Sequence, residues 1–103
     1  MQTFTLNRSW DDLMLDPTSF DITQSLQQLQ QQKDSEEFVV FIYEPSGAFI
    51  QVLSDDGLHV EAWADGVMKC STTTNSINTV IEWFQFFREH PTDTTLYQMI
   101  ERG

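Results

Sequence analysis

The apolar positions divide the chain into an opening strand, a helix, a run of four strands and two closing helices. Thr3-Phe4-Thr5-Leu6 alternates polar and apolar, which predicts a short strand. An acidic and aromatic connection from Ser9 to Pro17 follows, and Pro17 argues against a long helix through it. Asp21-Ile22-Thr23-Gln24 has the form of a capping box, with the Asp21 carboxylate accepting from the Gln24 amide. Ile22, Leu26 and Leu29 then recur at helical spacing as one narrow apolar stripe. The glutamines from Gln27 to Gln32 read as a solvated helix face, with the helix ending near Lys33.

Phe38-Val39-Val40-Phe41-Ile42-Tyr43 is continuously apolar, aromatic and β-branched. Such a run predicts a central strand covered on both faces. Pro45-Ser46-Gly47 marks a turn, and Ala48 to Leu53 returns as a hairpin partner. Asp55-Asp56-Gly57 makes the next turn. Leu58 to Ala64 alternates, with Leu58, Val60, Ala62 and Ala64 on one side and His59, Glu61 and Trp63 on the other. Asp65-Gly66 is a two-residue hairpin signal, leading into a strand over Val67 to Thr72. Thr73 to Ser76 offers several N-caps for a second helix carrying Ile77, Val80, Ile81, Phe84 and Phe87, widened by Trp83 and Phe86 and stopped by Pro91. A last short helix, capped from Thr92-Asp93, turns Leu96, Met99 and Ile100 inward. The predicted fold class is α+β: an antiparallel β-meander of about five strands with two main helices packed on one face. Neither a repeat nor a linker divides residues 1–103, so a single domain is expected.

Composition changes this picture through charge. Forty per cent of the 103 residues are hydrophobic and 13% aromatic, too many for a disordered chain. Sixteen Asp and Glu oppose five Lys and Arg, for a formal charge of −11. Such a surface repels phosphate backbones and anionic lipid, so neither nucleic acid nor membrane is an expected partner. It attracts a basic protein or cations, although acidity also serves plain solubility. Cys70 is the single cysteine, which excludes an internal disulfide and suits a reducing compartment. With no basic start followed by an apolar run, and no apolar stretch long enough to span a bilayer, a cytoplasmic location is expected.

The residues that could carry chemistry do not assemble into a reactive pattern. Asp11-Asp12, Glu36-Glu37 and Asp55-Asp56 are adjacent pairs at loops or element ends, where neighbours diverge and solvation explains them better than acid–base catalysis. His59-Val60-Glu61 matches the H-x-E part of zinc deaminases but lacks the paired cysteines, and a zinc site needs three or four ligands. Cys70 with His59 or His90 has no supporting motif and fits a small buried hydrophobe. The chain is therefore not expected to be an enzyme or to carry a cofactor or metal.

What remains is a set of acids around the predicted meander. Glu44, Asp55, Asp56, Glu61 and Asp65 sit on its strands or turns, and Trp63 shares a strand side with Glu61. An exposed aromatic ringed by carboxylates suits an interface with a basic protein. The alternative is that Trp63 packs beneath a helix and the acids form a wet rim. If the helices cover Leu58, Val60 and Ala62, Trp63 lies outside. Asp11, Asp12 and Asp16, with Trp10 as an anchor, make a second candidate patch.

The stretch Phe38 to Glu44, the segment Ala48 to Leu53 and the strand-turn Leu58-His59-Val60-Glu61-Ala62-Trp63-Ala64-Asp65-Gly66, followed by the Trp- and Phe-rich helix Ile77 to Phe87, resemble small acidic immunity proteins of bacterial contact-dependent and polymorphic toxin systems. The resemblance covers residues 38–88 and excludes 1–33. It implies a stoichiometric inhibitor that binds and blocks a cognate basic toxin, with nuclease domains the foremost class because they grip phosphates. It fixes no contact residue. The alternative is a phage-type acidic nucleic-acid mimic that inhibits a DNA-binding protein, its acids spaced like phosphates.

Overall fold

The computed structural model describes residues 3–31 and 36–102. Six strands form one antiparallel sheet: β1 (Phe4–Arg8), β2 (Met14–Leu15), β3 (Glu37–Tyr43), β4 (Ala48–Ser54), β5 (Leu58–Ala64) and β6 (Val67–Thr74). Their order across the sheet is β2-β1-β3-β4-β5-β6. Three helices, α1 (Ser19–Gln31), α2 (Ile77–Glu89) and α3 (Thr95–Arg102), complete an α+β fold. The four strands from β3 to β6 are joined in sequence by tight turns, which forces the antiparallel meander. At Asp65-Gly66 both residues have positive φ, 56° and 74°, the primed turn whose twist matches its flanking strands. Between Ala62 and Trp63 the pairing shifts, so Lys69 is an extra residue in β6.

All the helices lie on the side of the sheet that carries Leu6, Val39, Phe41, Ile50, Val52, Val60 and Ala62, which join the buried helix residues in a single core. Phe41 is its centre: its ring stacks on Phe4 at 4.9 Å and meets Phe87 at 5.5 Å and Phe84 at 6.2 Å. Ile22, Leu26 and Leu29 bury the stripe of α1, while Gln27, Gln28, Gln30 and Gln31 are exposed. The Gln85 amide of α2 donates to the Ser19 carbonyl and the Thr23 hydroxyl, and the Arg88 guanidinium donates to the Pro17 carbonyl. These bonds tie α2 to the start of α1.

Three expectations need correction. The capping box of α1 lies three positions earlier than the sequence suggested. The Thr18 hydroxyl accepts from the Asp21 amide at 3.1 Å, and the Asp21 carboxylate accepts from the Thr18 amide at 2.9 Å. Asp21 is thus the closing acid of the box rather than its N-cap. The strand β3 is central but is covered on one face only; Val40 and Ile42 on the other face are half-buried by their sheet neighbours. Finally, the Ser9–Pro17 connection holds the short strand β2, which extends the sheet beyond β1. The expected end of α1 near Lys33 lies outside the described residues.

One exposed carboxylate fastens β2. Asp16 has a left-handed φ of 48° and accepts from the amides of Thr3 and Phe4 at 2.8 and 2.9 Å. Those amide bonds, Phe4 first, hold its carboxyl below the ordinary value of 3.8. Its folded pKa being below the unfolded one, the contribution to stability is complete above that ordinary value and is lost as pH falls through the depressed one. Asp16→Asn keeps the turn conformation and one acceptor but removes the charge. Thermal unfolding should show the variant melting below the parent at pH 7, with the gap closing as both are acidified through the carboxylate range. A gap independent of pH would exclude this role for the charge.

Candidate partner-binding face

The face of the sheet opposite the helices is assembled by register. One row of cross-strand neighbours runs Leu15, Thr5, Ile42, Phe49, Trp63, Met68. A second runs Asn7, Val40, Gln51, Glu61, Ser71, and a third Phe38, Leu53, His59, Thr73. Because side chains alternate along each strand, burying Phe41, Ile50 and Ala62 under the helices places Ile42, Phe49 and Trp63 outside. Leu15 is 59% exposed, Met68 44% and Leu53 37%, so the apolar character continues to the rim of this face.

At its centre the geometry is fixed. The Phe49 and Trp63 rings stack at 5.8 Å and 10°. Glu61 Oε1 accepts from the Gln51 amide at 2.7 Å and from the Trp63 indole N–H at 2.9 Å. One carboxylate oxygen therefore sets the orientation of both an amide and an aromatic ring. Toward one end His59 Nε2 donates to the Asp55 carbonyl at 2.9 Å, and its Nδ1 shares a hydrogen bond with the Thr73 hydroxyl at 2.9 Å. His59 and Glu61 therefore have separate partners.

The other candidate acids divide between the two ends of the sheet. Asp55 and Asp56 occupy the β4–β5 turn, at the same end as Asp11 and Asp12 in the β1–β2 connection, and all four are exposed. Glu44 and Asp65 lie at the opposite end, in the β3–β4 and β5–β6 turns. Glu44 accepts from the Thr5 hydroxyl at 2.7 Å. Trp10 is half-buried and packs against the core, and Asp11 pairs with Arg8 at 3.6 Å. Thus the structure brings Glu61 and Trp63 together, frames them with acids at either end, and keeps Trp10 apart from them. Phe49, Gln51, Ile42 and Met68 belong to the same face; the alternation in β4 and the pairing of β5 with β6 are the signals that point to them.

Reactive groups are separated. Cys70 lies beneath the helices, on the opposite side of the sheet from His59, and burial, then the nearby Glu101 charge, pushes its thiol up. The His90 ring packs on Phe86 at 5.0 Å. Among the described residues no group of three or more His, Cys, Asp or Glu could hold a metal ion. A groove of about 460 Å³ beside α3 is lined by Asp65, Lys69 and Tyr97, among others. Burial there raises the Tyr97 phenol above its ordinary value and keeps it protonated. No helix among the described residues is long and apolar enough to cross a membrane.

The chain matches no family model, no curated protein and no solved structure.

Proposed function

We propose that this chain is a toxin-neutralising immunity protein that binds and blocks a cognate basic toxin in the cytoplasm, a nuclease domain foremost. The observation that carries the reading is the uncovered sheet face, with a stacked Phe49–Trp63 pair beside a fixed Glu61 carboxylate, in a chain of charge −11. A protein interface wants a flat apolar centre with a polar rim, and here the centre is aromatic and the acids lie at the ends. A nucleic-acid mimic instead wants rows of carboxylates at phosphate spacing, and the split of the acids between two ends disfavours it.

The direct test is capture of the product of the adjacent gene by the purified chain, followed by protection of toxin-exposed cells. Failure of that product to bind, or growth of cells that lack the chain beside toxin-bearing siblings, would sink the reading. Kinetics add a finer check. Asn tolerates the left-handed φ of 51° at Asp56, so Asp55→Asn with Asp56→Asn should leave the turn intact. The pair should slow association by roughly two- to tenfold at low salt and leave dissociation nearly unchanged, because exposed rim charges act mainly on encounter. An unchanged association rate would place the encounter surface elsewhere.

A further inference from the structure

We infer that Glu61, Trp63, Phe49 and Gln51 form a receptor for an arginine side chain presented by the basic partner. The inference deepens the proposed function and rests on the open face being the docking surface. The Phe49 and Trp63 rings stack face to face within 10° of parallel and form one aromatic pair. Glu61 stands beside it, and both donors that hold the carboxylate, Gln51 Nε2 and Trp63 Nε1, bond to the same oxygen, Oε1. Among the described residues the second oxygen has no hydrogen-bond donor, and the grip on the first orients it. A guanidinium is planar, stacks on aromatic faces and offers several N–H donors in its plane, so it can pack against the aromatic pair and reach the carboxylate together. An ammonium group has no face to stack and is more strongly hydrated.

Charge complementarity supports the same occupant. Among the described residues no Lys or Arg lies on this face. Arg8 points to the helix side with Leu6 and reaches the Asp12 carbonyl and the Asp11 carboxylate. Arg88 and Arg102 belong to α2 and α3, and Lys69 lines the groove beside α3. Among the described residues Glu61 thus has no cation beside it, in a half-buried, partly apolar setting where a charged hydrogen bond is stronger than in open water.

The test compares two probes on the full chain: a hexa-arginine and a hexa-lysine peptide of equal length and charge, at about 0.15 M salt to suppress diffuse attraction. The expected result is a preference of about fivefold or more for the arginine peptide, with the Trp63 indole N–H resonance shifting. Glu61→Gln preserves the shape and an acceptor for Gln51 and Trp63. It should bring the two peptides to equal, weak affinity with the backbone amide spectrum unchanged. Phe49→Leu keeps the carboxylate, removes the ring stacked on Trp63 and should reduce the preference. Equal affinities in the parent, a preference that survives Glu61→Gln, or shifts confined to the Asp55–Asp56 turn would each overturn the assignment. An arginine preference without a toxin partner would overturn the proposed function alone; a tight toxin complex indifferent to Glu61→Gln would overturn the arginine receptor alone.

Discussion

Trp63→Ala should weaken the complex with the proposed basic partner by about 30-fold or more, the effect of truncating an aromatic anchor near the centre of an interface. Trp63 qualifies by position: it lies between Phe49 and Met68 in the longest apolar row of the open face, and its indole N–H holds Glu61. The substitution removes the ring stack and one of the two bonds that hold the carboxylate at once. Its cost to folding should be smaller, because the ring is half-buried and a cross-strand aromatic pair contributes about 0.2–1 kcal/mol. Equilibrium titration of the parent and variant with the partner, beside a thermal melt of each, separates the two effects. A loss of affinity matched by general unfolding, or no loss at all, would remove Trp63 from the interface.

Phe41→Ala should be the most damaging single change to stability. The side chain is fully buried and touches rings from β1 and α2, so its removal leaves a cavity between the two layers. Phe→Ala at such sites costs about 3–5 kcal/mol. Against a total of about 5–15 kcal/mol, that is a large fraction of the folding free energy. Melting should drop by about 12 °C or more, since each kcal/mol shifts a domain of this size by about 4–8 °C. Urea unfolding followed by tryptophan fluorescence gives an independent measure. A drop of only a few degrees would mean that Phe84, Phe87 and Phe4 close over the gap.

The strands β3 to β6 and the helix α2 are legible in the sequence because each carries a local signal. Alternation in Leu58–Ala64, the Asp65-Gly66 turn and the stripe from Ile77 to Phe87 are each contained within a short window. What escapes depends on distant partners. The two residues of β2 carry no periodicity; they are held by the pairing with Thr5 and Leu6 and by the Asp16 carboxylate on Thr3 and Phe4. The start of α1 is ambiguous because Thr18-to-Asp21 and Asp21-to-Gln24 both satisfy the box spacing, and the backbone before Ser19 decides between them. The same limit governs the site. Glu61 and Trp63 share a side of β5 by parity alone, but their link to Gln51 and Phe49 depends on the β4–β5 register. The uniform apolarity of Phe38–Tyr43 suggests cover on both faces, yet one of its faces lies in the exposed region that the proposed partner would shield.

The two rims of the sheet are unequal. One ends in the two-residue β2, while the other is the full length of β6, with Val67 54% exposed beside Met68. A long unpaired border of this kind invites strand addition by a second copy, the first step toward fibrils. The Lys69 bulge interrupts the regular hydrogen-bonding comb at that border and places a cation there. An edge interrupted in this way is a poorer template for an added strand than a regular one.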